Sequence, residues 1–292
     1  MNILDEIAER TRERVAQAKR ERSLASMRQA AEDALAQDCE RCAAEKPGPD
    51  GQPLSGEAFA AARAAAPCSF PFEVALERPG VQFIAEVKRA SPSKGLIAPD
   101  FPYLQIARDY EAAGAAAISC LTEPYWFQGR NEYFAEIASE VSIPVLRKDF
   151  VVDEYMVYEA KALGARAVLL ICAILDDAQL ASYLQLCNDL RLSAFVEAHT
   201  AEEVRRAVAC GARVVGVNNR DLKTFEVDMS AARALRELVP PHTLFVSESG
   251  VRTAADVQAA RDMNADAVLV GETLMRAADK QAKLAELRGN PQ

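Results

Sequence analysis

In the stretch IAEVKRASPSKG, Ile84 to Gly95, a carboxylate and an ammonium stand two residues apart at Glu86 and Lys88. Alternate residues of a β-strand share a face, so the two charges point the same way. Yet Ile84, Ala85 and Val87 around them suit a buried strand. Burying a charge is costly unless it is paired or used. An ammonium beside a carboxylate can bind an anion, donate a proton or help remove one. The pattern recurs along the chain. Lys148 closes the apolar run IPVLR, and Glu197 closes LSAFVE. Other apolar runs lead into Asn218-Asn219-Arg220, Ser247-Glu248-Ser249-Gly250 and Gly271-Glu272-Thr273. The beginnings of these runs carry no comparable set. Each residue alone has a plainer reading as a turn or helix cap, and Asp149, Thr273 and Asn218 fit it. Two lysines and two glutamates closing separate apolar runs do not.

The elements that must position them are regular from Val81 onward. Eight short apolar runs alternate with helix-length stretches: 81–87, 115–121, 143–147, 166–171, 192–197, 213–217, 243–247 and 266–270. Near-continuous apolar strands alternating with helices imply a parallel sheet covered by helices. Eight such units predict a closed (β/α)8 TIM barrel of the α/β class, spanning 81–292. A second regularity supports closure. Gly114-Ala115, Gly164-Ala165, Gly211-Ala212 and Asn264-Ala265 each precede a strand, 50, 47 and 53 residues apart. Gly and Asn suit the left-handed residue that ends a helix, and each interval covers two βα units. In such a barrel the chemistry sits at the carboxyl ends of the strands, where the polar residues fall.

Residues 1–80 read as an N-terminal helical extension. Ile3, Leu4, Ile7 and Val15 have helical spacing, 22–45 is Ala-rich, and PGPDGQP at 47–53 is a breaker cluster within a variable loop near 36–56. The charged N-terminus has no apolar signal core, and the longest apolar stretch, Ala167 to Leu175, is too short to span a bilayer. A net charge of −9 over 292 residues argues against nucleic acid or an anionic membrane as partner. The seven Cys are scattered and odd in number; Cys120 and Cys172 read as small buried hydrophobes. Cys39 and Cys42 form a lone C-x-x-C without a second pair or a His cluster, so no metal is expected. His199 precedes Thr200, a helix N-cap, and His242 lies in a proline loop. The expected setting is a soluble protein of the cytoplasm. At the last two strands, small residues let backbone N–H groups approach an anion, which suits a phosphorylated small-molecule substrate.

Seven segments in order, IAEVKRASPSKG, LTEPYWFQG, VLRKDFVVDEYMVYEA, VEAHT, GVNNRDLKTFEVD, VSESGV and VGETLMR, closely resemble the indole-3-glycerol phosphate synthase family of tryptophan biosynthesis, from about residue 68 to 277. The N-terminal helix is similar to that family's extra helix over the barrel, and a fused second barrel, as in bifunctional relatives, is not expected. The resemblance implies a carboxy-lyase that closes the ring of 1-(2-carboxyphenylamino)-1-deoxyribulose 5-phosphate, then releases CO₂ and water. It implies no cofactor, and a monomer or weak homo-oligomer is expected.

By resemblance, Lys148 is the general acid of ring closure. Lys88 binds the substrate carboxylate or serves as acid in dehydration, and which lysine serves which step stays open. Glu197 is the base or cation stabiliser, assisted by Glu86 and Asn218. Phe127 and Phe150 match an apolar wall for the aromatic ring, and Arg220 and Ser249 a polar rim. Ser91, Gly250, Gly271 and Glu272, the last through its backbone, correspond to a phosphate cradle. A lysine that donates a proton near neutrality benefits from a pKa lowered by neighbouring cations. Two rivals compete with this reading. Phosphoribosylanthranilate isomerase needs a Cys/Asp acid–base pair, for which Cys120 comes closest, and a barrel retained only for binding would have no need of the four charges. Lys148→Ala is expected to fold normally and to lose turnover on the order of a hundredfold, as for a lost general acid; steady-state kinetics on the folded variant check this.

Overall fold

The eight runs form one closed parallel barrel in the computed structural model, which describes residues 3–44, 70–220, 227 and 230–289. The breaker cluster at 47–53 and Cys68 lie outside the described residues, as does the side chain of Cys42. The chain opens with helices α1 (Ile3–Glu21), α2 (Leu24–Ala44) and the short α3 (Pro71–Leu76). The barrel strands are β1 (Gln82–Val87), β4 (Ala117–Leu121), β5 (Val145–Lys148), β6 (Ala167–Ile171), β7 (Ser193–Ala198), β8 (Val214–Asn218), β9 (Leu244–Glu248) and β10 (Ala267–Val270). Between β1 and β4, the pieces Ala90–Ser91 (β2) and Gly95–Leu96 (β3) form a small hairpin at the mouth. Each barrel strand pairs with its neighbour in sequence, and β1 closes the ring against β10, with Ala85 opposite Val270.

The caps expected from sequence are present. Gly114, Gly164, Gly211 and Asn264 have φ of 78°, 91°, 87° and 56°. At each, the alanine that follows donates its N–H to a carbonyl five residues back, as Ala115 does to Tyr110 at 3.0 Å. This ending satisfies helix carbonyls and turns the chain into the next strand. Thr200 caps its helix as expected, accepting the Glu203 N–H.

Strand parity sorts the apolar residues into two layers. Phe83, Ala85 and Val87 face the helices, whereas Ile84 faces the barrel interior with Leu146, Leu169, Phe195, Val214, Val246 and Leu269. Phe72 of α3 joins this inner layer and meets the Phe195 ring edge-on at 6.2 Å. The next inward residue on each strand therefore lies at the open end.

The N-terminal helices are held to the barrel by polar pairs as well as by apolar contact. Leu4, Ile7, Ala8, Thr11 and Val15 line one face of α1 and are buried. Arg14 of α1 donates to Asp149 just after β5 at 2.7 Å, and Lys19 to Asp153 at 2.7 Å. From α2, Asp38 accepts from Lys161 at 2.8 Å and also from Arg166. Lys161 is 1 % exposed, so Asp38 is what neutralises it. Among the described residues no helix is long and apolar enough to cross a membrane. Asp38→Ala should lower unfolding stability by about 3 kcal/mol, the cost of leaving a buried charge unpaired. Urea denaturation would measure this, with kcat unchanged because Asp38 is remote from the barrel mouth.

Candidate active site

The top inward layer is contributed by every strand. Glu86, Leu121, Lys148, Ile171, Glu197, Asn218, Glu248 and Gly271 follow, two residues on, an inward position of the layer beneath, and all line one cavity. Every residue expected at the site lines the same cavity: these include Lys88, Ser91, Phe127, Phe150, Arg220, Ser249, Gly250 and Glu272. The floor is apolar, and Ile3, Leu4 and Ile7 of α1 line the cavity as well.

Two ammonium groups face this space, each with carboxylate company. Lys88 pairs with Glu86, so the two charges that share a strand face do meet. Lys148 reaches Glu248 at 2.7 Å and Glu197 at 3.4 Å, with the Phe195 ring 6.0 Å away. The Asn218 amide donates to Glu197 at 3.4 Å, and its oxygen accepts the Arg220 N–H at 3.0 Å.

The electrostatics correct one expectation. Burial opposes the charge on Lys148, but Glu248, Glu197 and Glu86 outweigh it and hold its pKa above the ordinary lysine value. It is not lowered by cations, because its neighbours are carboxylates. The two carboxylates that share this ammonium are driven apart. At Glu197, burial favours the neutral form, but Lys148, His199 and Asn218 together keep its pKa below the ordinary value. At Glu248, burial and the charge of Glu197 overcome Lys148 and push the pKa up to about 7. In the sequence Glu248 reads as part of the SESG turn, and the structure adds it to the cavity. Parity with inward Val246 is the signal that identifies it.

The rest of the site is held by backbone and loop contacts. Ser91 Oγ is buried, borders the cavity and has no hydrogen-bond partner. Ser249 and Gly250 adopt φ of 65° and 95°, turning the chain sharply after β9. Asn219 donates to the carbonyls of Glu248 at 2.9 Å and Ser249 at 3.1 Å, fixing that turn. A Cβ on Gly271 would collide with the Glu86 carboxylate and lie 3.0 Å from Lys88 Nζ, so glycine is what allows this close approach. Phe127 and Phe150 face each other at 6.0 Å. Phe127 is presented by a loop whose Tyr125, Trp126 and Phe127 N–H groups all donate to buried Glu123. Trp126 is outside the cavity lining, and Tyr125 beside it is 60 % exposed. Asp149 and Arg252 also border the cavity, which sequence reasoning did not anticipate. Among the described residues no group of three or more His, Cys, Asp or Glu is arranged to hold a metal ion.

A ring of parallel strands with acids and ammoniums gathered in one cavity at its carboxyl end defines the class of (β/α)8-barrel enzymes. Solved structures similar in fold include a 3-hexulose-6-phosphate synthase (TM-score 0.59, 17 % identity, covering 73 % of this chain and all of that one). Another is a thiamine phosphate pyrophosphorylase from Pyrococcus furiosus (TM-score 0.53, 18 % identity, covering 72 % of this chain and 94 % of that one). These establish the fold alone. The family model described as indole-3-glycerol phosphate synthase matches residues 49–287. Relatives bearing that name include one from Ruminiclostridium cellulolyticum, 57 % identical over 76 % of this chain and 85 % of its own length. A second, from Lachnoclostridium phytofermentans, is 51 % identical over 75 % and 81 % respectively. The chain belongs to the indole-3-glycerol phosphate synthase family.

Gly216 of β8 lies under the charged layer, where an added Cβ would meet the Phe195 ring and stand 2.5 Å from Glu248 Oε1. Gly216→Ala should therefore displace Glu248 and lower kcat on the order of a hundredfold while circular dichroism still reports a folded barrel.

Proposed function

We propose that this chain converts 1-(2-carboxyphenylamino)-1-deoxyribulose 5-phosphate to indole-3-glycerol phosphate, with one lysine and two unequally ionised glutamates handling its protons. The observation that carries this reading is Lys148, set between Glu248 and Glu197 beneath an apolar aromatic wall. Phe127 and Phe150 enclose the aryl ring, and Lys88 offers its ammonium to the ring carboxylate. Ser91 Oγ and the backbone of Gly250, Gly271 and Glu272 receive the phosphate, with Arg220 and Ser249 at the rim.

In ring closure, the ring carbon that bears the carboxylate attacks the C2′ carbonyl, and negative charge grows on its oxygen. Lys148 donates its proton there. A high lysine pKa does not prevent this, because the developing alkoxide is a far stronger base than the amine left behind. Departure of CO₂ then returns its electron pair to the ring and neutralises the iminium nitrogen. In dehydration the C2′ hydroxyl leaves as water with a proton from an ammonium, and a carboxylate removes the proton that aromatises the pyrrole ring. Glu197, held ionised, is the base. Glu248 changes charge near neutrality, so it can return a proton to Lys148 between steps. Glu86 keeps Lys88 aimed into the cavity, and Asn218 orients Glu197.

The isomerase alternative loses its one candidate acid. Cys120 packs in the outer layer away from the cavity, and burial pushes its thiol up to about 12. For location we propose the cytoplasm, where thiols stay reduced, since Cys120, Cys172 and Cys187 are buried free thiols.

Incubation with the carboxyphenylamino ribulose phosphate should produce indole fluorescence; a folded chain that yields none would end this reading. Glu248→Gln should lose on the order of a hundredfold in kcat and alter stability with a definite sign. A carboxyl raised from its ordinary value to about 7 binds more protons folded than unfolded, so wild-type stability falls as pH rises through that window. The glutamine variant, lacking that ionisation, should match the wild type near pH 4.5 and exceed it above pH 7 in thermal melts.

A further inference from the structure

His199 is a partly buried titratable group, its ring nitrogens shielded from solvent, that the proposed mechanism leaves unused. It lies two residues beyond Glu197, just past the end of β7 (Ser193–Ala198), and it sits outside the cavity lining. Its Nε2 is 3.4 Å from Glu197 Oε1, and its Nδ1 is 3.6 Å from Glu203 Oε2. Both ring nitrogens are buried, and at these distances each has a carboxylate beside it without a short hydrogen bond. A neutral imidazole left so would forfeit a donor and an acceptor. An imidazolium between two carboxylates is attracted to both without ideal geometry.

The surroundings hold the ring there. The His199 N–H donates to Glu203 Oε2 at 2.6 Å, and Thr200 accepts the Glu203 N–H at 3.2 Å, so a cap fixes the Glu203 carboxylate beside the ring. The charged groups facing His199 are Glu197 on β7, Glu203 on the following helix (Ala201–Ala209) and Glu248 on β9. Lys148 of β5 lies on the far side of Glu197, and Cys172 after β6 contacts the Glu203 carbonyl.

We infer that His199 is a positioning residue for Glu197: bridging Glu197 and Glu203 as an imidazolium, it keeps Glu197 ionised and engages its Oε1. Together with Asn218 it occupies that oxygen, leaving Oε2 to Lys148 and to the substrate proton. Burial works against the His199 charge, but Glu203 and Glu197 outweigh it and raise its pKa above the ordinary value. The charge is therefore complete below the ordinary pKa and is lost as pH rises through the raised one. This inference rests on reading Glu197 as the base.

The chain has two histidines, His199 and His242, so imidazole signals of the 15N-labelled, ligand-free protein form two sets, which H199Q assigns. The His199 midpoint should lie above about 6.5 and fall by about half a unit or more in E203Q and in E197Q. In H199Q the acid limb of kcat/KM should move to higher pH, because Glu197 then holds its proton more tightly. A purely structural histidine would lower the melting temperature and leave that limb in place. A midpoint below 6.5 in the wild type, or an unmoved acid limb in H199Q, overturns the inference. An inactive E197Q with an unmoved His199 midpoint overturns it alone, whereas an E197Q with wild-type turnover overturns the reading of Glu197 beneath it.

Discussion

One ammonium shared by two buried carboxylates governs the top of this barrel. Without Lys148, Glu197 and Glu248 would be like charges in a poorly hydrated space, and neither would have reason to stay in. With it, the three groups form a cluster one positive charge short of neutrality. That shortage separates the two acids, one held below the ordinary glutamate pKa and the other pushed up to about 7. The cluster exists because parity aims the ends of β5, β7 and β9 at one point, and because Gly216 and Gly271 keep the space free of Cβ atoms. Backbone geometry thus sets the proton affinities on which the chemistry depends.

Around this centre the scaffold acts mostly through held loops. Glu123 gathers three N–H groups to present Phe127, Asn219 fixes the turn after β9, and Asp149 receives Arg14 from α1 and Thr122 from β4's end. Each carboxylate or amide is buried and satisfied, so each can set a position firmly. The N-terminal helix contributes something different. Its apolar face adds Ile3, Leu4 and Ile7 to the cavity wall, and an apolar wall beside the charged layer lowers the local dielectric in which those charges interact.

Much of this was legible in the sequence because strands and helices announce themselves by period, and because charge at the end of an apolar run is hard to explain otherwise. Glu86, Lys88, Lys148 and Glu197 were found that way. Glu248 was passed over because Ser-Glu-Ser-Gly reads equally as turn chemistry; only the inward facing of Val246 settles its direction. The sign of the Lys148 shift was misjudged. The expectation followed from what a proton donor would benefit from, whereas parity sends Arg147 outward to Glu159 and Lys148 inward to the acids. Ile3, Leu4 and Ile7 announced a helix with a buried face, but not what that face would cover, since tertiary placement has no local signature.

Closure of the ring by β1 against β10 has a further consequence. Gly271 follows the last strand to be synthesised and Glu86 lies in the first, yet the two pack against each other beside Lys88. The surroundings of the Glu86–Lys88 pair are therefore assembled from opposite ends of the barrel sequence, and that corner of the cavity is complete only where the eighth strand meets the first.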